Sequence, residues 1–149
     1  MKRIDQLDPN FGLEGVVPEN YIFHSPHSGP FRFWGLVPNR ENSLCRLPLE
    51  LLPHMTEGVQ NLSRHLAGGI LRFSTDSPGL GLAWRLQGAG VMPHFTACGQ
   101  SGMELFEEWD GGFRQLRNFM PRMNNGCGCC LQQSSYTDLP GGMRQYALY

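Results

Sequence analysis

Of the twelve basic residues in this 149-residue chain only Lys2 is a lysine, and the arginines are scattered rather than clustered. Charged residues make up 17% of the sequence, against about 25% in an average soluble domain, and the formal net charge is −1. A nucleic-acid partner is excluded on this count, because displacing counterions from a phosphate backbone needs a basic stripe. No apolar run is long enough to cross a bilayer as a helix, so no membrane partner is expected. The start, Met1-Lys2-Arg3-Ile4-Asp5-Gln6, has no apolar core of a secretory leader, which points to the cytoplasm. Structural disulfides are not expected either. The five cysteines are an odd number, and Cys127, Cys129 and Cys130 are too close in sequence to staple separate elements.

The familiar hydrolase signatures are missing as well. There is no Gly-x-Ser-x-Gly elbow. Thr75-Asp76-Ser77 has threonine where a Gly-Asp-Ser nucleophile block has glycine, and no aspartate is followed three residues later by histidine. Asp76-Ser77 reads more simply as a turn entry.

What the sequence has in quantity is turn chemistry. Nineteen glycines and eleven prolines break a chain of this length into short elements, which predicts an all-β fold. Two segments show period-2 alternation. Residues 70–75 place Leu71, Phe73 and Thr75 on one face. Residues 80–87 place Leu80, Leu82, Trp84 and Leu86 on one face. Between them, Pro78-Gly79 suits a type II turn. Such turns fit tight hairpins poorly, so the link is expected to arch between two sheets. The prediction is a two-sheet β-sandwich, jelly-roll-like, formed by residues 31–149 and preceded by an extended arm over residues 1–30.

Further strands are predicted at residues 31–36, 113–120, 129–134 and 143–149, with two short ones in the arm at residues 15–17 and 21–24. Residues 47–56 allow one helical turn, stopped by Pro53, and residues 58–66 read as a polar turn. Residues 101–109 carry conflicting signals. Ser101 with Glu104 could form a capping box, and Met103, Phe106 and Trp109 recur at helical spacing. Asp110-Gly111-Gly112, however, is a turn that a hairpin would explain on both sides, so a strand is predicted. The chain stops at Tyr149 on an alternating strand, which suggests a cut piece of a longer protein.

Few constellations carry chemistry. His24 and His27 have a chelating spacing but lack a second ligand pair, and the cysteine cluster is not split into the two pairs a zinc site needs. His54 and Glu57 fall on a broken segment. No metal site or cofactor is predicted. Among the tryptophans Trp34, Trp84 and Trp109, Trp84 alternates with leucines and belongs in the core, whereas Trp109 beside a turn should be exposed. The candidates for a ligand or inter-domain surface are Asn61, Arg64, His65, His94, Ser101, Glu104 and Trp109.

Four segments together resemble a known module: Asn61-Leu62-Ser63-Arg64-His65-Leu66-Ala67-Gly68, Arg72-Phe73-Ser74-Thr75-Asp76-Ser77, Met92-Pro93-His94 and Gly102-Met103-Glu104-Leu105-Phe106. They resemble, in order, the GxDLY domain found at the N-terminus of certain bacterial SGNH-type (GDSL-like) hydrolases. In the name-giving motif Glu104 stands for the aspartate and Phe106 for the tyrosine. The resemblance implies a β-sandwich followed by an α/β SGNH domain that carries the catalytic Ser, His and Asp. It also implies an esterase context with an acylated carbohydrate or similar ester as substrate. The expected function is therefore a non-catalytic accessory domain that packs on its own C-terminal hydrolase domain, with a homo-oligomer as a further expectation. A free-standing carbohydrate-binding module using Trp109 is the first alternative. A metal-dependent cupin-like β-barrel enzyme using His24, His27 and His94 is the second.

Overall fold

The structure, a computed structural model, describes residues 20–25, 27, 29–39, 43–86, 92–120, 131–136 and 138–149. The proposed strand at residues 15–17 and the Cys127/Cys129/Cys130 cluster lie outside them. Alternation along the chain becomes nine antiparallel strands among these residues: β1 (Arg32–Trp34), β2 (Val37–Pro38), β3 (Leu44–Cys45), β4 (Ile70–Thr75), β5 (Leu80–Arg85), β6 (Met103–Trp109), β7 (Gly112–Phe119), β8 (Leu131–Tyr136) and β9 (Arg144–Leu148). They form a five-stranded sheet in the order β1-β4-β9-β6-β7, a two-stranded β5-β8 sheet, and a small β2-β3 ribbon. The protein is an all-β two-sheet sandwich, as its glycine-rich, alternating sequence implies.

The core lies between the five-stranded sheet and β5-β8. Leu105, Phe119, Tyr146 and Leu148 come from the first, Trp84 with Leu80 and Leu82 from the second, and Leu139 closes one side. Trp84 and Phe119 meet edge to face across the gap with ring centroids 6.5 Å apart, and Phe73 stacks on Tyr146 at 5.7 Å. The predicted faces of β4 and β5 are thus the observed ones.

The arch between the sheets also forms, with a different turn. Gly79 does not have the positive φ that a type II turn requires. Instead the Ser77 hydroxyl donates to the Gly79 carbonyl (2.9 Å) and the Leu139 amide donates to the Pro78 carbonyl (3.2 Å), so side-chain and long-range bonds set the bend. Glycine is required there for space. A Cβ at Gly79 would collide with the Tyr21 hydroxyl and lie 3.2 Å from the Tyr136 carbonyl oxygen. Tyr21 makes this contact, and residues 21–24 do not form the predicted strand.

The conflict over residues 101–109 resolves as strand. β6 pairs with β9 on one side and β7 on the other, and Asp110-Gly111 is the two-residue loop of the β6–β7 hairpin. Paired on both edges, β6 satisfies its backbone groups without a helix. A bulge follows Leu105, where the partner of the next residue skips from Arg117 to Gln115. The skipped Leu116 packs against the core.

Two corrections concern helices. Residues 49–54 form a 3-10 helix (Leu49–His54) with Pro53 inside it, longer than the single turn predicted. The Leu51 amide bonds the Pro48 carbonyl and the Met55 amide bonds the Leu52 carbonyl, so the N–H that proline lacks removes only an interior bond. Residues 58–66 are not all turn: α1 (Glu57–Leu62) occupies the first part. A second short helix, α2 (Ala97–Ser101), precedes β6. β8 (Leu131–Tyr136) covers residues 131–134 of the predicted strand and runs on to 136; residues 129–130 lie outside the described residues. None of the described helices is long and apolar enough to cross a membrane.

Tyr146 carries one mismatch. Its side chain is fully buried and its hydroxyl has no hydrogen-bond partner among the described residues. Burial pushes this phenol up from its ordinary pKa, and the nearby Glu107 charge pushes in the same direction. A buried, unpaired hydroxyl costs about 1–3 kcal/mol. Tyr146→Phe is therefore expected to stabilise the fold by about 1 kcal/mol, measured by urea unfolding. A loss of stability would show that the hydroxyl is satisfied.

Candidate functional site

β9 is the central strand of the five-stranded sheet, and its last residues define one end of the sandwich. Leu148 pairs with Leu71 of β4 on one side and Leu105 of β6 on the other. Tyr149 continues the ladder by exchanging two 2.9 Å backbone bonds with Glu104. The chain thus exits between the start of β4 and the start of β6. Those two strands lie about 10 Å apart, two inter-strand spacings.

The segments leading into these strands carry six of the seven residues singled out in the sequence. Asn61 lies on α1, and Arg64 and His65 in the turn that leads to β4. His94 lies in the turn before α2, Ser101 ends α2, and Glu104 is the second residue of β6. Strand order brings the two groups to one end of the sheet. No hydrogen bond, ion pair or ring contact joins them among the described residues. Trp109 is at the opposite end, in the β6–β7 hairpin, and is 52% exposed.

The first segment is anchored from below. Ser63, 4% exposed, accepts the Arg46 amide on its carbonyl (2.8 Å) and the Cys45 thiol (3.2 Å), while its hydroxyl donates to Gln60 O (2.7 Å). Burial alone would push the Cys45 thiol up. The Ser63 hydroxyl, the backbone amides of Leu47 and Arg46, and the Arg64 charge outweigh it and bring the thiol below its ordinary pKa. The buried cysteine acts as a small packing group with one good acceptor beside it.

The second segment is anchored by Gln100, which sequence reasoning missed. Its side-chain oxygen accepts the Met92 amide (3.0 Å), and its nitrogen donates to the Met92 and Phe95 carbonyls (both 2.9 Å). Thr96 caps α2 by accepting the Gly99 amide (3.2 Å). The turn between holds His94 exposed, with its ring 4.9 Å from that of Phe95. Glutamine at the end of a short helix carries no sequence signal for this role.

The motif Gly102-Met103-Glu104-Leu105-Phe106 is explained position by position, Met103 packing against the core. A Cβ on Gly102 would lie 2.6 Å from the Cys98 carbonyl oxygen, so only glycine lets α2 run directly into β6. Leu105 is fully buried at the centre of the core. Phe106 lies on the outer face, edge-on to Tyr149 at 5.1 Å. Glu104 ties β6 to Tyr149 through its backbone. Burial pushes the Cys98 thiol up, and the Glu104 charge adds to this. The motif builds this end of the sheet.

The opposite end has a groove of about 650 Å³, lined by Arg72, Glu107, Glu108, Trp109, Phe113 and Arg144 among others. Glu107 is 3% exposed, on the core face, and both Arg114 and Arg144 bond its carboxylate. Burial alone would raise its pKa. The two guanidiniums outweigh this and hold the carboxyl below the usual range. On the outer face Arg72 pairs with Glu108 at 2.9 Å and lies over the Trp34 ring, 4.7 Å from its centroid.

His24 is exposed, His27 lies against the Phe33 ring at 5.9 Å, and His94 is on a separate loop. Among the described residues no three His, Cys, Asp or Glu side chains gather as a metal site.

Comparison with known proteins follows this geometry. Two solved structures share the fold. One is a Bacteroides ovatus protein described as a GDSL-like lipase (TM-score 0.62, 20% identity, 80% of this chain and 36% of that one). The other is the salicylyl-acyltransferase SsfX3 from a tetracycline biosynthetic pathway (TM-score 0.55, 21% identity, 82% of this chain and 33% of that one). The chain thus spans about one third of the length of the solved proteins it matches. No curated protein sequence matches it. A family profile matches residues 22–149, nearly all of the structure just described, and its subject is the N-terminus of SGNH-hydrolase-type esterases. The chain belongs to the GxDLY family.

Proposed function

We propose that residues 22–149 are a non-catalytic accessory module of an SGNH-type esterase. The module packs on the catalytic domain that follows it and shapes access of an acylated carbohydrate or a similar ester. The observation that carries this reading is the match over residues 22–149 to an N-terminal module, in a chain that covers only about a third of its solved relatives. The motif residues support it, because they are used in building the sheet end rather than in holding a reacting group. In the same reading the protein works in the cytoplasm, residues 1–30 are an arm whose last part, residues 22–30, falls inside the matched module, and the sandwich is jelly-roll-like, its β4–β5 arch crossing between sheets.

The test compares the longer esterase with a version lacking residues 1–149, on an aryl acetate and on an acetylated sugar. The expected result is a fall in kcat/KM of about tenfold or more, the size of lost positioning. Equal kcat/KM for both forms on both esters would remove the accessory role.

A second reading is favoured by one feature, the exposed Trp109 beside the groove. An exposed indole flanked by Arg72, Glu108 and Asp110 is chemically suited to stack a sugar ring and bond its hydroxyls. A titration with oligosaccharides followed by tryptophan fluorescence would then saturate in the millimolar range and be lost in Trp109→Ala. An unchanged spectrum at that concentration ends this alternative.

A further inference from the structure

Short helices normally turn their apolar side to the core; α1 does the reverse. Its inward positions are polar, with Gln60 half-buried and Ser63 buried just beyond its end, while Val59 is 39% and Leu62 63% exposed. α1 buries none of its residues, and neither does α2. Helices of this length have no independent stability, so packing on one side must hold them. The Ser63 bonds anchor α1 from below, Gln100 ties α2 to the turn that precedes it, and the apolar side of α1 is left outward.

The exposure continues around the same end. Leu49 and Leu51 of the neighbouring 3-10 helix, and Met55 just after it, are 39%, 41% and 37% exposed. Across the exit, Phe95 is 53% exposed in the turn that Gln100 pins. Monomeric domains rarely leave large apolar side chains grouped in this way unless a partner covers them. Tyr149, half-exposed itself, leaves between the two groups, because β9 is flanked by β4 and β6.

We infer that this exit end, centred on Leu62 and Phe95, is the surface on which the catalytic domain following Tyr149 docks. The inference rests on the accessory-module reading and adds the face that makes the contact. The occupant is set by topology: a domain continuing from the central strand emerges in the middle of the apolar end and can cover both sides without a linker. Arg64, His65 and His94, all exposed around it, supply the polar rim that inter-domain contacts have.

The test is amide hydrogen exchange on the 149-residue chain and on the longer esterase. Residues 57–66 and 92–101 are expected to exchange at least about tenfold more slowly in the longer protein, with residues 109–113 and 141–145 unchanged. Leu62→Asp in the longer protein should return the first segments to the rates of the isolated chain. Met143→Asp, at the far end and 68% exposed, should not. Both substitutions should shift the melting of the isolated chain by under about 2 °C, since each side chain already faces water. Protection confined to residues 109–113 and 141–145 overturns the assigned face and leaves the accessory reading intact. Protection already present in the isolated chain, with a dimer in sedimentation that Leu62→Asp dissociates, overturns it in favour of a second copy. No added protection anywhere, with activity unaffected by removal of the module, overturns both.

Discussion

Replacing Phe119 by alanine is expected to destabilise the protein by about 3–5 kcal/mol. Phe119 is fully buried and reaches from the five-stranded sheet to Trp84 on β5. The β5-β8 ribbon has only two strands, so it depends on this packing; an isolated two-stranded sheet is marginal in water. Truncation removes the transfer energy of the ring and leaves a cavity between the layers, which rigid strands on both sides cannot close. For a domain of this size the melting temperature should fall by about 10 °C. Urea unfolding followed by tryptophan fluorescence and by circular dichroism should stay coincident while the midpoint drops. A change below about 1 kcal/mol would mean that the two sheets are not held together here.

Glu107→Gln is expected to cost about 3 kcal/mol, the low end for breaking a buried ion pair. The carboxylate is buried, but Arg114 and Arg144 are about half exposed and can return to water when it is neutralised. The pH dependence has a definite sign. The folded pKa of Glu107 is depressed, so its contribution is complete above the unfolded value of about 4.3 and is lost as pH falls through the folded value. The gap between the protein and Glu107→Gln should therefore be constant near neutrality and shrink below about pH 4. Either arginine alone should cost about 1 kcal/mol, because the other still pairs the carboxylate. Removing both should cost more than the sum, since Glu107 is then buried and unpaired. Strict additivity in urea unfolding would show that the carboxylate reaches solvent.

The placement of the docking face and of this ion cluster at opposite ends of one sheet has a functional consequence. A variant at Glu107 lowers stability without touching the proposed contact, whereas Leu62→Asp touches the contact without lowering stability. The two can be compared within one esterase to separate loss of fold from loss of coupling.

The sequence by itself determined the layers. Alternation of Leu71 and Phe73, and of Leu80, Leu82 and Trp84, sets which faces meet, because side chains alternate on a strand whatever its partners are. Asp110-Gly111 determined the hairpin, and the order of the motifs determined the family. Tertiary structure alone decided the rest. Val59 and Leu62 carry no readable helical stripe because α1 is held through Ser63 by Cys45 and Arg46, residues distant in sequence, and turns its apolar side outward. Glu107 reads as an ordinary charge near a turn; only the pairing of β6 with β7 and β9 places two arginines beside it on the core face. Gly79 suggested a turn type, while the Ser77 hydroxyl and the distant Leu139 amide decided the bend. Local pattern records which face a residue takes, and strand order records which residues share an end. The candidate surface is a property of strand order, since β9 is the last strand in sequence and the middle one in the sheet.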